Sequence, residues 1–256
     1  MKKLKLVLLV AILMFAVVGC SSSKAISAKD VLENTIKVSK EIESQHAKLE
    51  QQQSTKIGKE EASSTTIIEM DVNTKQQAIY QVMSNDSSDL KISMYVSKEG
   101  IYMSQNGLDW GVVKEFNLDE IFTQAQELTE SVLEAILEYA DEIKLTEKNN
   151  QYVLDFDGSN DKFKDIFKSQ LSKTMPEGVN LDKVLESTKL NEFKYQYIVD
   201  KKTGYLMKSV VDMDIELNVE GNTLGFVNKT STEFSKHNEV GEIVVPQEIK
   251  DSAVEQ

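Results

Sequence analysis

The sequence predicts an α+β fold in which a large, curved antiparallel sheet carries helices on its concave face. Over residues 46–114 and again over 193–235, apolar and polar residues alternate as they do in half-buried strands. Two other stretches, 28–43 and 117–140, repeat their apolar residues every three or four positions, which is the period of an amphipathic helix. A long run of strands with helices before and within it is typical of the α+β class.

The chain begins with a segment that has the layout of a secretory signal. Lysines within residues 1–5 precede the apolar run LVLLVAILMFAVV, which covers residues 6–18. A helix of that length rises about 20 Å, short of the roughly 30 Å hydrocarbon core of a bilayer, so a permanent span is not predicted. The run ends in the sequence VVGC, residues 17–20, which resembles the lipobox of bacterial lipoproteins.

The lipobox resemblance implies that residues 1–19 are a lipoprotein signal peptide and that Cys20 becomes the lipidated first residue of the mature chain. In such proteins a thioether joins the cysteine to diacylglycerol, and two acyl chains anchor far more firmly than one. Residues 20–26 are then the lipidated N-terminus and a tether that reaches roughly 20 Å. We therefore expect a protein anchored in the cell membrane on its extracytoplasmic face. The alternative is an ordinary signal peptide with a chance cysteine near its cleavage site.

The composition is acidic and excludes several classes of function. The 256 residues include 42 acidic and 29 basic ones, all of the latter lysine, for a formal charge of −13. Removal of residues 1–19 would take away three lysines and leave a charge of −16. Such a surface repels nucleic acid, because that binding depends on cations that neutralise phosphates. Cys20 is the only cysteine, so its acylation would leave no thiol for a disulfide, a metal site or a nucleophile.

Local signals predict the elements of the first half of the chain. Ser27 followed by Asp30 has the form of a capping box and predicts the start of the first helix. The segments STTIIEMDV, AIYQVM, LKISMYVS and GIYMSQ are rich in β-branched and aromatic residues, and together they predict an antiparallel meander. The turn signals between them are Asn73, Asn85-Asp86, Glu99-Gly100 and Asn106-Gly107.

A longer helix should follow the meander, because Asn117 and Glu120 suit a helix N-terminus and an apolar stripe continues for about six turns. The stripe consists of Leu118, Ile121, Phe122, Ala125, Leu128, Val132, Ile136 and Tyr139. Beyond it we expect strands at IKLTE and YVLDFD, a helix at 159–172 and a helical turn at 181–186. FKYQYIV and SVVDMDIELNV alternate and predict two strands joined by the turn DKKTG, before a last strand at 223–235.

The motifs of enzymes and metal sites do not appear, so we expect a non-catalytic protein without a cofactor or metal. DFDGSND, residues 155–161, looks like a calcium loop, but its glycine is fourth instead of sixth and Ile166 stands where the pattern needs glutamate. His46 and His237 are the only histidines, and they lie in different predicted elements without a second ligand at metal spacing. Glycine-rich phosphate loops and the nucleophile elbow are missing from the sequence.

The residues that could line a ligand cavity are apolar and lie in the predicted meander, the longer helix and the later strands. Trp110, the only tryptophan, is either a core anchor or part of such a lining. Several methionines fall in strands, and their flexible thioether side chains suit either a core or an adaptable binding surface. The candidate lining residues are Trp110, Ile121, Phe122, Leu128, Val132, Met94, Met103 and Met213.

The order of several segments resembles a family of lipoproteins of unknown function from Gram-positive bacteria. The segments are AKDVLENTIKVSKEI, GIYMSQNGLDWGVV, DFDGSNDKFKDIFKSQ, YIVDKKTGYLMKSVVDMDIEL and HNEVGEIVVPQEIKDSA. That family is distantly similar to half-barrel carriers, namely the lipoprotein chaperone LolA and the mycobacterial lipid-binding lipoproteins. The resemblance implies that residues 27–256 form a single LolA-like half-barrel. In the carriers its apolar interior holds acyl chains, and here the helix 117–140 would be the lid.

Two functions remain open at this point. The first is a membrane-anchored, non-catalytic binding or carrier module for a lipid or other apolar ligand. The second is a structural or interaction lipoprotein of the cell envelope with a solid core and no ligand. A cavity of several hundred Å³ between helix and sheet would favour the carrier, whereas close packing would favour the adaptor.

Overall fold

A computed structural model describes residues 26–158, 187–219 and 222–255. It confirms the predicted α+β class, because twelve strands form one open, curved sheet, like half of a barrel, with helices on its concave face. Cys20 and the predicted helices at 159–172 and 181–186 lie outside the described residues, and so does the side chain of Leu128.

The strands form a single sheet with two long hairpins at its centre. In chain order they are β1 (Ser44–Ile57), β2 (Glu60–Asn73), β3 (Ala78–Asn85), β4 (Leu90–Ser97), β5 (Gly100–Gln105), β6 (Gly111–Val113), β7 (Lys144–Lys148), β8 (Gln151–Asp157), β9 (Thr188–Asp200), β10 (Leu206–Val219), β11 (Asn222–Ser235) and β12 (Val254–Glu255). Their spatial order is β12-β6-β5-β4-β3-β2-β1-β11-β10-β9-β8-β7. The pair β6–β12 is parallel, and the other described pairs are antiparallel.

The described helices are α1 (Ala28–Ser39), α2 (Leu118–Leu137), a short 3₁₀ helix (Ala140–Glu142) and α3 (Gln247–Ser252). The capping box predicted for α1 is present, since Ser27 Oγ accepts from the backbone N of Asp30 and the Asp30 carboxylate accepts from the backbone N of Ser27. At α2, the side chain of Asn117 accepts from the backbone N of Glu120, as expected of an N-cap.

The helix α1 ends at Ser39, four residues before its predicted end at residue 43. The reason is that the chain already begins to pair with the sheet. The backbone N of Ile42 bonds back to the carbonyl of Ser39 in a turn, and the carbonyl of Glu43 accepts from the backbone N of Thr74 at 2.8 Å, so the pairing of β1 with β2 begins at Glu43 in place of a further helical turn. Tertiary pairing overrides the apolar spacing that continued to Ile42.

Both longer helices pack against one end of the sheet and form the main core there. Side chains of α1 and α2 lie on the aromatic and aliphatic side chains of β8, β9 and β10. The buried members of this core are Ala28, Val31, Leu32, Leu133, Ile136, Ala140, Ile143, Leu154, Phe156, Phe193, Tyr197 and Val199. Each large apolar side chain that is fully buried contributes about 1.5–3 kcal/mol, so this cluster is a main source of the stability of the fold.

Residues 237–255, which the sequence did not predict as elements, form a strap across the ends of the strands. The side-chain amide of Gln76 binds both backbone groups of Ile243: its Nε2 donates to the Ile243 carbonyl O at 2.7 Å, and its Oε1 accepts from the Ile243 backbone N at 2.9 Å. Farther along, Lys250 pairs with Glu99, and the backbone N of Val254 donates to the carbonyl of Trp110 at 2.8 Å. The strap thereby adds β12 to the exposed edge of β6 and protects that edge from foreign strands.

The concave face as a candidate binding site

The register of the strands sorts their side chains by charge. Residues directly opposite each other in an antiparallel pair share a face of the sheet, so the face can be followed from strand to strand. In β1, Leu49 and Gln51 lie on the concave face, and Lys48 and Glu50 lie on the convex face. The neighbouring strands repeat this division. Across the described parts of β1–β5 and β9–β11, Glu60 at a hairpin tip is the one charged residue that falls on the concave face.

The convex face of the same strands carries the charges, in keeping with a solvated surface. Cross-strand ion pairs join Lys48 to Glu69 at 3.2 Å and Lys208 to Glu233 at 2.8 Å. The Lys208 ammonium, through its hydrogen bond and its charge, holds the pKa of the Glu233 carboxyl below its usual value. The alternate acids of β10, Asp212, Asp214 and Glu216, also lie on this face. The Asn191 side-chain amide donates to the carboxylates of Asp214 and Glu216. On β1, β2, β4 and β9–β11 the charged residues thus lie on the convex face, apart from Glu60, whereas β3 and β5 carry no charged residue on either face.

An apolar strip crosses the concave face on β2–β5, away from the core under the helices. We define this strip as Ile68, Met70, Met83, Ile92, Met94 and Met103. None of the six is fully buried, and Met103 is 46% exposed. Nearby on the same face, Val113 of β6 is 38% exposed and Ile57 at the tip of β1 is 56% exposed. Gln81, which is half-exposed, lies between Met70 and Met94 on this face. Grouped apolar side chains that remain partly exposed often mark a contact surface, so the strip is a candidate.

A second group of side chains on the concave face is polar but uncharged. We call it the polar patch and define it as Gln51, Gln53, Ser64, Thr66, Asn85, Asn228 and Thr230. Two hydrogen bonds order its ends, because Thr230 Oγ1 donates to Asn228 Oδ1 at 2.7 Å and Asn85 Nδ2 donates to Thr66 Oγ1 at 2.9 Å. The patch therefore presents oriented amides and hydroxyls on the concave face, next to the apolar strip.

The structure brings together only some of the residues predicted to line a cavity. Met94 and Met103 are directly opposite each other in the apolar strip. Met213 and Val132 pack against the main core at the other end of the same face.

Ile121 and Phe122 are half-buried near the start of α2. They lie on the helical stripe that continues to the buried Leu133 and Ile136. The start of α2 adjoins the turn between β2 and β3, where the side-chain amide of Gln77 donates to the Asp119 carboxylate. Neither Ile121 nor Phe122 is among the side chains of the main core.

Trp110 lies apart from the other predicted lining residues. It packs in a second cluster, with Tyr95, Tyr102 and Ile249, on the convex face below the strap. Its ring centroid is 5.9 Å from that of Tyr95, which in turn stacks on Tyr80 at 4.5 Å. The structure thus places Trp110 as an anchor for the strap, the first of its two predicted roles.

The two histidines are also accounted for by structure. His46 Nδ1 lies 2.7 Å from Asp71 Oδ1 on the convex face, and His237 Nε2 lies 3.2 Å from the carbonyl O of Leu206. Burial lowers the pKa of His237. Within the described ranges, no three acidic, histidine or cysteine side chains are grouped to hold a metal ion.

A cleft of about 150 Å³ lies between the strap and the β2–β3 and β4–β5 turns. Its walls include Gln76, Ser97, Glu99 and Val245. It is smaller than the several hundred Å³ expected of a ligand cavity, and its walls are turns and the strap instead of helix and sheet, so it is not the enclosed cavity that would favour a carrier. The candidate site is therefore the open concave face, and this cleft is a seam beside the strap. As far as the structure describes the chain, its helices are too short or too polar to cross a membrane.

Comparison with solved structures gives only distant likenesses. A DUF1329 family protein from Desulfovibrio piger aligns at 10% identity and a TM-score of 0.25, covering 82% of this chain and 91% of that one. A beta-barrel-like protein of the DUF1849 domain from Brucella abortus aligns at 5% identity and a TM-score of 0.25, covering 75% of this chain and 98% of that one. An S-type phycobiliprotein lyase from Guillardia theta aligns at 7% identity and a TM-score of 0.21, covering 83% of this chain and 94% of that one. Scores this low carry no weight for fold or function.

Sequence comparison is more informative at the level of the family. No curated protein matches the chain. The model of DUF6612, a family of unknown function, matches residues 27–254. The chain therefore belongs to that family.

Proposed function

We propose that this member of the DUF6612 family is a non-catalytic binding or carrier module whose concave sheet face holds a lipid or another apolar ligand. The observation that carries the proposal is the sorting of charge between the two faces. In a chain with 71 acidic and basic residues, the concave face of β1, β2, β4 and β11, which lies outside the main core, has a single charge, Glu60 at its margin, although most of its residues are half-exposed. Selection for solubility alone would place lysine and glutamate on both faces.

The apolar strip supplies the free energy for such binding. Covering it with a ligand would gain about 25 cal/mol for each Å² of apolar surface removed from water. Methionine suits this task, because its unbranched thioether side chain adapts to the shape of the ligand. The strip on β2–β5 lies outside the main core and is already partly exposed, so a ligand can reach it without disturbing the packing of α1 and α2.

We further propose that the protein acts at the extracytoplasmic face of the cell membrane, held there by a lipid on Cys20. The support is the lipobox-like sequence VVGC after a short apolar run. With a tether of roughly 20 Å, the binding face would stay near its own membrane and exchange apolar cargo with it. Palmitate labelling of the wild type that persists unchanged in Cys20→Ala would overturn the anchor and leave the binding proposal intact.

Two valines of nearly equal exposure provide a matched test of the binding face. Val113 lies on the concave face and is 38% exposed, whereas Val227 lies on the convex face and is 37% exposed. We expect Val113→Lys to weaken binding of the neutral apolar dye N-phenyl-1-naphthylamine by about tenfold, because it places a charge against the ligand. Val227→Lys should leave binding unchanged. Thermal unfolding of each variant controls for loss of structure.

The same titration separates the two functions that the sequence left open. A wild-type chain that does not bind the dye would favour the structural lipoprotein without a ligand. Equal effects of Val113→Lys and Val227→Lys would show that the dye binds elsewhere, and the concave-face proposal would fail. A selective effect of Val113→Lys would support it.

A further inference from the structure

The polar patch lies next to the apolar strip in two adjoining rows of the sheet. One row runs Asn228, Gln53 and Ser64, and the next runs Thr230, Gln51, Thr66 and Asn85. The row after that is Thr232, Leu49, Ile68, Met83 and Ile92, with which the apolar strip begins. Rows on one face are about 7 Å apart, and the patch spans three strand spacings, or about 14 Å. Polar and apolar zones of molecular size thus lie side by side.

The choice of polar residues in the patch is selective. The convex sides of β1, β2 and β11 mix ions such as Lys48, Glu69 and Lys229 with amides and hydroxyls, whereas the patch on the other side of these strands uses only amides and hydroxyls. An amide or hydroxyl loses much less free energy than an ion when a ligand removes it from water, provided that it gains a hydrogen bond. The patch therefore has the composition of a surface that is desolvated by a hydrogen-bonding partner.

The ordered side chains in the patch offer both donors and acceptors. Asn228 receives the Thr230 hydroxyl through its Oδ1, which turns its two amide hydrogens the other way. Gln53 is exposed and Gln51 is half-exposed, and each side chain carries two donors and an acceptor. A cation that could bind phosphate, sulfate or carboxylate is missing from the concave face of the described strands β1–β5 and β9–β11.

We propose that the ligand is a neutral amphiphile, with an uncharged headgroup rich in hydroxyl or amide groups on the polar patch and its apolar chain along the strip. This inference rests on the proposed function and specifies its ligand class. The headgroup exchanges hydrogen bonds with Gln51, Gln53 and Asn228, and the chain extends across β2–β5 toward Met103. An anionic headgroup finds no counter-charge on this face and meets the field of a chain with a formal charge of −13.

Three probes with the same lauroyl chain test the headgroup directly. Monolauroylglycerol is neutral with two hydroxyls, methyl laurate is neutral without a hydroxyl, and laurate is anionic. Binding to the full chain carrying Cys20→Ser, measured below the micellar concentration by calorimetry, should be strongest for monolauroylglycerol. Methyl laurate should bind about three- to tenfold more weakly, the equivalent of one lost hydrogen bond, and laurate should be the weakest of the three.

Adjacent glutamines supply matched variants. Gln53 lies in the patch and Gln52 lies on the convex face, and both are exposed on the same strand. Gln53→Lys should raise the affinity for laurate about tenfold, through a charge-assisted hydrogen bond, and should lower the preference for monolauroylglycerol. Gln52→Lys adds the same charge and should change neither. The apolar segment of residues 6–18 is common to all variants and cancels from the comparison.

The outcomes separate this inference from the function on which it rests. If the three probes bind equally, or if both lysine variants change laurate binding alike, the headgroup inference is wrong, while binding of apolar ligands stands. If none of the probes binds, both fail. Preference for laurate in the wild type would also overturn the inference, because it would require a cation that the concave face does not provide.

Discussion

Replacing Thr35 by valine should stabilise the protein. Thr35 lies in α1 under the main core and is 1% exposed. Among the described residues, its Oγ1 is the buried side-chain atom without a hydrogen-bond partner. Valine keeps the β-branched shape and nearly the same helix propensity, so the substitution exchanges an unbonded hydroxyl for a methyl group and leaves the packing in place.

The expected gain follows from the cost of the buried hydroxyl. A hydroxyl removed from water without a new hydrogen bond costs about 1–3 kcal/mol. We therefore expect Thr35→Val to raise the free energy of unfolding by about 1–2 kcal/mol. For a chain of this size, each kcal/mol corresponds to about 2–4 °C in Tm.

Urea unfolding followed by far-UV circular dichroism measures the change, with Thr35→Ser as the control. Serine keeps the hydroxyl and removes the methyl group, so it should be less stable than the wild type by about 1 kcal/mol. If Thr35→Val were instead as destabilising as Thr35→Ser, the hydroxyl would have a partner, and the packing described for α1 on the sheet would be wrong.

Three further predictions test the hairpin, the strap and the aromatic core. Gly204 has φ +76° and a Cβ there would lie 2.2 Å from the Asn34 side chain. Gly204→Ala should therefore lower the free energy of unfolding by about 2 kcal/mol. Adding Asn34→Ala should recover the part of that loss that comes from the clash with Asn34, but not the part that comes from the positive φ. Gln76→Ala should leave the backbone groups of Ile243 unpaired, lower the free energy of unfolding by about 1–3 kcal/mol and speed amide exchange across 241–255. Unchanged exchange would show that the Gln76–Ile243 hydrogen bonds do not hold the strap. Burial raises the pKa of Tyr195 to about 12, so the folded state holds that proton more tightly than the unfolded state does. Stability is then complete below about pH 10 and falls as pH rises toward 12, and Tyr195→Phe should reduce that fall in alkaline unfolding.

The local elements of this fold could be predicted because their causes are local. The capping box at Ser27 and the N-cap at Asn117 depend on residues three positions apart, and both are present. The turn DKKTG is also confirmed, since the Asp200 carboxylate accepts from the backbone N of Thr203 and Gly204 adopts a positive φ. Those hydrogen bonds lower the pKa of Asp200. Such signals need no knowledge of the rest of the chain.

The candidate site could be predicted only in part, because its pattern crosses strands that are distant in sequence. Alternation shows that each strand has two kinds of face, but it does not show which faces of different strands combine. Gln53 and Asn228 become neighbours only through the pairing of β1 with β11. The charge-free face therefore emerges from the register. The sequence signal that could have indicated this face is a count of charged residues at alternate positions within each strand.

The strap explains why Trp110 was an ambiguous residue. Its position at the start of β6 was compatible with either face, and the segment that covers it, which includes Val245 and Ile249, lies more than a hundred residues later. The short α3 and the two-residue β12 have no periodicity of their own. They form because the side-chain amide of Gln76 and the edge of β6 provide partners for their backbone groups.

The most direct test of the central claim is native mass spectrometry of the full chain purified from its own cells. We expect a non-covalent mass increment, beyond any lipid on Cys20, from an uncharged amphiphile. Val113→Lys should remove that increment and Val227→Lys should retain it. A wild-type chain that carries no non-covalent ligand, or a ligand retained equally by both variants, would contradict binding at the concave face.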